Sequence, residues 1–194
     1  MARYAGDHKE ATRRRIVESA GRRIKQDGID GAGIATLMAD AGLTNGAFYA
    51  HFSSKQSLVA AVVTDQLEAQ AARIAELPPG RDGLLGFIDW YLSTDHRNDV
   101  ANGCPSAALL DEIARQGDEV GAAYERGVAI IADEVADRLA RDWSLDAGVA
   151  QTRAVGLMTV LIASMQLARA MTDAAKAEQV LVASRDNIRV LLAA

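Results

Sequence analysis

The chain of 194 residues has few of the residues on which enzyme and metal sites depend, with one cysteine, three histidines and three prolines. A single cysteine excludes an internal disulfide and is typical of a reducing cytosol. His8, His51 and His96 show neither the His-Glu-x-x-His spacing nor the Cys and His spacing of metal sites. No pair of carboxylates and no nucleophile with its base stands out. The sequence therefore indicates no enzyme, no metal site and no cofactor.

A membrane span and a secretory leader are also missing. The longest apolar run, residues 155–168, is too short to cross a bilayer. Charged residues begin at Arg3, so we expect no signal peptide. We therefore expect a cytoplasmic protein without a membrane partner.

The residues that are present favour an all-α fold. Hydrophobic residues make up 49% of the chain, alanine is abundant, and no segment shows sustained alternation of apolar and polar residues. Residues 77–80 (Leu-Pro-Pro-Gly) end a long helix that starts near Ser53, and they mark a domain boundary. Beyond this boundary the pattern predicts helices over residues 81–95, 105–115, 118–141, 146–171 and 174–192.

Residues 32–52 are predicted to form two short helices joined by a tight turn. Ile34, Leu37, Met38 and Ala41 lie at i, i+3, i+4 and i+7, which is one apolar face of a helix. Gly42 can adopt the left-handed backbone that ends a helix. Such a helix-turn-helix is used on DNA, but it also occurs where no DNA is bound.

The second short helix has small side chains and one tyrosine on its open face, which suits close approach to another surface. Thr44 is its candidate N-cap, with a hydroxyl that can accept a backbone N–H. The residues expected to face inward are Leu43, Phe48 and Phe52, and those expected to face outward are Thr44, Asn45, Gly46 and Tyr49.

The next helix begins with a cation in its first turn. Ser53-Ser54-Lys55-Gln56 matches a capping box, so a helix is predicted to start near Ser53. A lysine there opposes the helix dipole. The arrangement favours an anion such as a DNA phosphate docking at this end, and a solvated surface lysine is the alternative.

Residues 9–60 resemble the N-terminal DNA-binding domain of the TetR/AcrR family of bacterial transcriptional regulators. The combination of matching motifs is highly specific, although it covers only about a quarter of the chain. The matching residues are Arg15-Ile16-Val17, Ala20, Gly28, Ala41-Gly42-Leu43-Thr44-Asn45-Gly46, Phe48-Tyr49-Ala50-His51-Phe52, Lys55 and Leu58.

The resemblance implies an organisation in two domains with about nine helices in total. A three-helix DNA-binding domain would span residues 9–69, with the helix-turn-helix at about 32–51. A larger domain for effector binding and dimerisation would span residues 78–194. The implied partners are double-stranded DNA, a second copy of the chain and a small effector.

The resemblance also assigns DNA contacts. The family usually has a threonine or serine before its second helix, whereas this chain has Ala32-Gly33. The hydroxyl for that contact is therefore missing, and more weight falls on Thr36, Tyr49 and Lys55. The expected contact residues are Thr36, Thr44, Asn45, Gly46, Tyr49, His51 and Lys55.

Charge supports the division independently of the family. Residues 1–60 hold 9 Lys and Arg against 6 Asp and Glu, a net charge of +3, whereas the remainder has a net charge of −8. A basic N-terminal segment attached to an acidic remainder is typical of a segment that binds nucleic acid. Arginines 13–15, 22 and 23 lie on one predicted helix, where some face phosphates and others pair with Glu10, Glu18 and Asp27.

The predicted helix over residues 146–171 has two apolar stripes and is therefore buried on two sides. One stripe meets the core of the subunit, and the other, with the last helix beside it, would form a four-helix dimer interface. The alternative is a monomer whose last helix covers the second stripe. The predicted interface residues are Leu157, Leu161, Ala168, Met171, Leu181, Ile188 and Leu191.

An effector pocket is predicted where aromatic, methionine and polar residues fall on apolar helices. Such side chains suit an adaptable pocket for an apolar or aromatic ligand, and they suit an ordinary core equally well. Asp111 or Glu112 could bind a cation instead. The predicted pocket residues are Phe87, Trp90, Tyr91, Leu109, Ile113, Tyr124, Met158, Ile162, Met165 and Gln166.

Cys104 is a candidate sensor residue. Gly103-Cys104-Pro105 looks like the start of a helix, and a thiol at that position can react with oxidants or electrophiles. The acidic neighbours Asp99 and Asp111 disfavour a thiolate, so a purely structural cysteine is the alternative.

We therefore predict a homodimeric DNA-binding transcriptional regulator, a repressor that binds a palindromic operator and is released by a small effector. A regulator that senses redox state or electrophiles through Cys104 is the alternative. Two more distant classes are a helical enzyme and a protein-interaction module. Salt-dependent binding to duplex DNA separates both from the leading interpretation.

Overall fold

A computed structural model describes residues 2–193 of the chain, and the side chains of residues 7–192. This part of the chain is helical and contains no strand, which confirms the all-α prediction. The elements are α1 (Ala2–Asp27), α2 (Ile34–Asp40), a 3-10 helix (Asn45–Ala50), α3 (Lys55–Ala75), α4 (Arg81–Tyr91), α5 (Thr94–Asn98), α6 (Pro105–Ile113), α7 (Asp118–Trp143), α8 (Ala147–Ala170) and α9 (Ala174–Ala193).

Glycines end both helices that precede the exposed turn. Gly28 follows α1 with φ +82°, and Gly42 follows α2 with φ +68°, so both adopt the left-handed backbone predicted for Gly42. The buried side chains of Ile16, Leu37 and Phe48 then draw α1, α2 and the 3-10 helix together. The N-terminal part is thus a small helical unit packed around these side chains.

The second helix of the helix-turn-helix is a 3-10 helix and not an α-helix. Thr44 occupies its N-cap position, but its side chain makes no capping hydrogen bond, so that part of the prediction is wrong. Short 3-10 segments are common as connectors, because they tighten the chain within a few residues.

The start of α3 differs by one residue from the prediction. The N-cap is Ser54, whose Oγ accepts a hydrogen bond of 3.0 Å from the backbone N–H of Ser57. The hydroxyl of Ser57 lies 3.2 Å from the backbone N of Ser54 and completes the capping box. A serine and its partner three residues on form the box in either register, so the sequence did not distinguish Ser53 from Ser54. Lys55 is the first residue of the helix and therefore lies in its first turn, as predicted.

The predicted helix over residues 81–95 is in fact two helices, α4 and the short α5. Ser93 lies between the two helices and caps α5, because its Oγ accepts a hydrogen bond of 3.1 Å from the backbone N–H of His96. Serine competes for backbone hydrogen bonds in this way and favours caps over helix interiors.

Helix α3 belongs to both halves of the molecule, since it packs against α1 on one side and against α7 on another. The close approach of α7 depends on Gly127, where an added Cβ would lie 2.6 Å from Cβ of Leu67. The predicted limit of the first domain, residue 69, falls inside this helix. The two halves therefore share one continuous hydrophobic core.

Arg138 fixes the end of α3. It is buried on α7, and its guanidinium donates to the carbonyl oxygens of Ile74 (2.7 Å), Ala75 (3.1 Å) and Pro78 (3.0 Å), and also to that of Leu77. These carbonyls are among those that the end of a helix leaves without a partner. Arg138 thereby couples the direction of α3 to α7.

Helices α8 and α9 leave apolar surface uncovered. Five of the seven predicted dimer residues lie in the core of the single chain, namely Leu157, Leu161, Ala168, Leu181 and Ile188. They present almost no surface to a second copy, because α8 packs against α7 and α9 within the same chain. Met171 is half-buried, and Leu191 is exposed. The other exposed apolar side chains on these helices are Val149, Val155, Leu167, Val182 and Val190.

Among residues 2–193, α8 is the one helix long and apolar enough to cross a membrane by length and composition, with a mean hydropathy of 1.3. The apolar run at 155–168 is thus part of a helix of 24 residues. A single helix of this kind is weak evidence for a membrane, since core helices of soluble proteins meet the same criteria.

Candidate nucleic-acid interface and effector cleft

The 3-10 helix holds its polar face in solvent because one aromatic residue anchors it from below. Phe48 is fully buried, and its ring meets that of Tyr49 edge to face at a centroid distance of 5.2 Å. The Tyr49 side chain is 72% exposed. The other predicted contact residues Thr36, Thr44, Asn45 and Gly46 are exposed as well. The surface predicted to meet DNA is therefore open.

Two predicted contact residues are half-buried, His51 and Lys55. Lys55 begins α3, where free backbone N–H groups and the ammonium can meet the same anion. The pKa of His51 is lowered, first by burial and then by the nearby charges of Lys9 and Arg13. Burial and the neighbouring cations thus disfavour the charged form of His51.

Some arginines of α1 make contacts within the chain, and others remain exposed. Arg23 pairs with Asp27 at 3.2 Å, as predicted, and forms a two-pronged pair with Asp40 on α2, where Nε–Oδ2 is 2.7 Å and Nη2–Oδ1 is 3.1 Å. The hydrogen bond from Arg23 lowers the pKa of Asp40. Arg13 stacks over the ring of Phe52 at 4.8 Å. Arginine therefore orients α2 relative to α1, while Arg14 and Arg15 remain exposed.

The predicted pocket residues fall into two separate depressions and the core. Phe87, Trp90 and Tyr91 line a cleft of about 270 Å³ between α1, α3, α4 and the loop before α6. Tyr124, Met158, Ile162 and Gln166 line an apolar groove of about 280 Å³ along α7 and α8. Leu109, Ile113 and Met165 are buried in the core and line neither. The prediction that all ten residues line one pocket is therefore wrong.

A polar cluster lies beneath the cleft. Lys25 is buried and donates a hydrogen bond of 2.8 Å to the carbonyl oxygen of Gly103. His96 accepts a hydrogen bond of 3.0 Å at Nε2 from the backbone N–H of Cys104, and its Nδ1 lies 2.6 Å from the carbonyl oxygen of Tyr91. Burial lowers the pKa of His96 and raises the pKa of Tyr91.

Sequence reasoning missed Lys25 and Arg169 in this cluster. Arg169, on α8, donates to the carbonyl oxygen of His96 at 2.9 Å and to that of Arg97 at 3.2 Å. The apolar pattern of α1 includes Ile24 and Gly28, and Lys25 between them gave no signal of burial. A buried lysine is rare unless it is paired, so tertiary structure alone identifies it.

Glu112, one of the two residues considered as a cation ligand, already accepts a hydrogen bond within the chain. Oε2 of Glu112 accepts a hydrogen bond of 2.6 Å from the backbone N–H of Ile29. Within the described part of the chain, no group of three His, Cys, Asp or Glu side chains could hold a metal ion.

The described part of the chain therefore combines an exposed helix-turn-helix with a second helical domain, an arrangement that is typical of helical DNA-binding regulators. Residues 14–62 match the family model described as bacterial regulatory proteins, tetR family. The match covers about a quarter of the chain, and it confirms the resemblance of the N-terminal part to the TetR/AcrR family of transcriptional regulators.

Curated relatives are similar over much of the chain. The HTH-type transcriptional repressor Rv1474c of Mycobacterium tuberculosis is 28% identical over 73% of this chain and 71% of its own length. The HTH-type transcriptional repressor NemR of Escherichia coli is 24% identical over 60% of this chain and 61% of its own length.

Solved structures share the whole fold. The reduced form of E. coli NemR superposes with a TM-score of 0.80 at 18% identity, covering 93% of this chain and 96% of that one. A TetR-family regulator from Agrobacterium tumefaciens superposes with a TM-score of 0.75 at 21% identity, covering 93% and 98%. At such identities the likeness concerns the fold.

Proposed function

We propose that the protein is a homodimeric transcriptional repressor that binds a palindromic operator and is released by a small effector. The observation that carries the DNA part is the exposed 3-10 helix, where Thr44, Asn45 and Tyr49 project from a segment anchored by buried Phe48. Small polar groups and a tyrosine suit both base edges and phosphates in a major groove. Repression is inferred from the curated relatives Rv1474c and NemR, which are both repressors.

The dimer is supported by the apolar side chains that the chain leaves in solvent on its last two helices. Val155 and Leu167 are each 52% exposed on α8, and Val190 is 69% exposed on α9. Packing α8 and α9 against their copies would bury this surface in a four-helix arrangement. A two-fold dimer would then present two 3-10 helices to successive major grooves, about 34–36 Å apart.

Release follows from the position of α3. This helix carries Lys55 at its DNA-facing end and is held at its other end by Arg138. An effector that binds more tightly to one orientation of α3 changes the distance between the two heads, and it shifts the equilibrium only by that difference in affinity.

The direct test is selection of tight sites from random duplex DNA with the purified protein, followed by affinity measurement at several salt concentrations. We expect an inverted repeat and an affinity that falls steeply with salt, because phosphate contacts release counterions. Selection of no site, or an affinity independent of salt, would favour an enzyme or a protein-interaction module.

A second mode of release is reaction of Cys104 with an oxidant or electrophile. The observation that favours it is that Cys104, although 95% buried, lines the cleft near Lys25. The solved structure of NemR in a reduced form adds a weak indication from a protein of the same fold. Release of operator DNA by an oxidant should then disappear in Cys104→Ser, and unchanged release would end this alternative.

A further inference from the structure

The cleft between the two halves of the molecule has polar groups in its floor that the chain leaves without full partners. Lys25, on α1 of the DNA-binding half, is 92% buried, and one of its three N–H donors is used, toward the carbonyl oxygen of Gly103. The Tyr91 side chain is 99% buried, and no nitrogen or oxygen of the described residues accepts a hydrogen bond from its hydroxyl, whose neighbour is the thiol of Cys104. Both residues line the cleft. Buried polar groups are normally satisfied, so these donors indicate a ligand.

The charges around the cleft define the ligand's charge. The cations that line it are Arg22, Lys25 and Arg73, and the carboxylates are Glu18 and Asp65. The lining therefore has a formal excess of one positive charge, which one negative charge neutralises and two would exceed. No carboxylate lies within salt-bridge distance of Lys25 among the pairs of the described residues.

The aromatic side chains in the walls of the cleft indicate the shape and size of the ligand. Phe87 is nearly buried, and its ring lies 5.7 Å from that of Trp90. Trp90 is held in place by His96, which stacks on it at 4.8 Å, and by Arg73, 4.2 Å from its ring centroid. Aromatic walls with a few convergent donors are typical of sites for flat ligands. A cleft of about 270 Å³ is at the small end of such sites and admits one or two fused rings.

We propose that this cleft binds a small aromatic monocarboxylate, whose carboxylate accepts hydrogen bonds from Lys25 and the Tyr91 hydroxyl while its ring packs against Phe87. This inference specifies the effector of the proposed function and rests on it only for the consequence at DNA. Binding itself is measured without DNA.

The same contact explains how occupancy reaches the DNA-binding half. The hydrogen bond from Lys25 to Gly103 joins α1 to the loop before α6, across 78 residues of sequence. A carboxylate that draws the ammonium into the cleft competes with this carbonyl oxygen. The ligand therefore acts at the contact that sets the position of α1, and hence of the helix-turn-helix packed on it, relative to the second domain.

The test uses Trp90 as a reporter in a full-length Trp143→Phe background, since Trp90 and Trp143 are the two tryptophans of the chain. Benzoate, cinnamate and 2-naphthoate are titrated against tryptophan fluorescence, with the corresponding amides as uncharged controls of the same shape. We expect saturable quenching by at least one carboxylate, with its amide binding at least tenfold more weakly.

Variants then assign the site. In Tyr91→Phe we expect a loss of affinity of about fivefold to tenfold. This change keeps the aromatic ring and removes only a hydroxyl without a nitrogen or oxygen partner, and circular dichroism of the variant checks that it folds. Lys25→Met should lose at least tenfold, and Lys25→Arg should retain more affinity than Lys25→Met. A matched control is Tyr124→Phe, whose hydroxyl lies near Ser106 and does not line this cleft.

Equal binding of acids and amides, no binding of any of the three acids, or wild-type affinity in both Tyr91→Phe and Lys25→Met would overturn the proposal. Failure of the protein to bind any duplex DNA would instead contradict the proposed function. The fluorescence result would then still decide whether the cleft is a carboxylate site.

Discussion

The backbone amide of Ile29 donates a hydrogen bond of 2.6 Å to Oε2 of Glu112, and this bond joins the end of α1 to α6 across 83 residues of sequence. Lys25 and Gly103 form a second such bond nearby. The DNA-binding half is thus attached to the second domain by two polar contacts in addition to α3.

Removing the first of these contacts should destabilise the junction. Because Glu112→Ala leaves the partly buried amide of Ile29 without its acceptor, we expect the free energy of unfolding to fall by about 1–3 kcal/mol. Asp111→Ala, the exposed neighbour, is the control and should change it by less than about 0.5 kcal/mol. Urea unfolding followed by circular dichroism measures both. Equal effects of the two variants would show that the contact does not contribute to stability.

The exposed face of the 3-10 helix and the first turn of α3 should both contribute to the affinity for DNA. We expect Tyr49→Ala and Lys55→Ala each to weaken binding to the selected operator by about tenfold or more, with the salt slope reduced by about one for Lys55→Ala. Lys176→Ala, an exposed lysine at the start of α9, is the charge control. Fluorescence anisotropy measures affinity, and sedimentation should show an unchanged dimer. Wild-type affinity in both variants would remove these residues from the interface.

Alanine substitutions at two glycines of α7 should change the free energy of unfolding in opposite directions. Gly127→Ala places a methyl group against Leu67, so we expect a loss of about 1–3 kcal/mol in the free energy of unfolding. Gly121→Ala meets nothing within 4 Å and should stabilise by up to about 1 kcal/mol, because alanine is the better helix former. Thermal unfolding of both variants suffices. A stabilised Gly127→Ala would show that α3 and α7 can separate at little cost.

Lys25 should make stability depend on pH above neutrality. Burial lowers its pKa from 10.5 to about 8; Cys104 and Asp99 raise it, and Arg169 and Arg22 lower it further. Between about pH 8 and 10.5 the folded state releases a proton that the unfolded state keeps, so stability rises with pH across this window. The full difference is on the order of 3 kcal/mol.

The measurement of this effect is the difference in unfolding free energy between wild type and Lys25→Met at pH 7 and at pH 10. The difference isolates Lys25 from other groups that titrate in the same range. Wild type should gain relative to the variant as pH rises. A constant difference would indicate that the buried ammonium has an ordinary pKa.

The exposed apolar face of α8 should be required for the dimer. We expect Leu167→Arg to shift the chain to a monomer in analytical ultracentrifugation and to weaken operator binding. The reason is that two linked heads bind one site far more tightly than a single head. Ile130→Arg, a similarly exposed residue of α7, is the control. A dimer that persists in Leu167→Arg would place the interface elsewhere.

Local patterns in the sequence determined most of the architecture. The apolar spacing from Ile34 to Ala41, the glycine at 42 and the prolines at 78 and 79 predicted the helix-turn-helix and the end of α3, because these signals act within a few residues. The exposed Tyr49 above a buried Phe48 followed from the same spacing. The register of the capping box was ambiguous, since Ser53 and Ser54 both fit it.

Tertiary structure alone decided which apolar and charged residues meet across the chain. Leu157 and Leu161 were predicted to face a second subunit, yet both are buried within the single chain, because a hydrophobic stripe does not specify which helix buries it. The burial of Lys25 beside Tyr91 depends on segments far apart in sequence. Long-range packing brings such groups together, and no periodicity within a single helix records it.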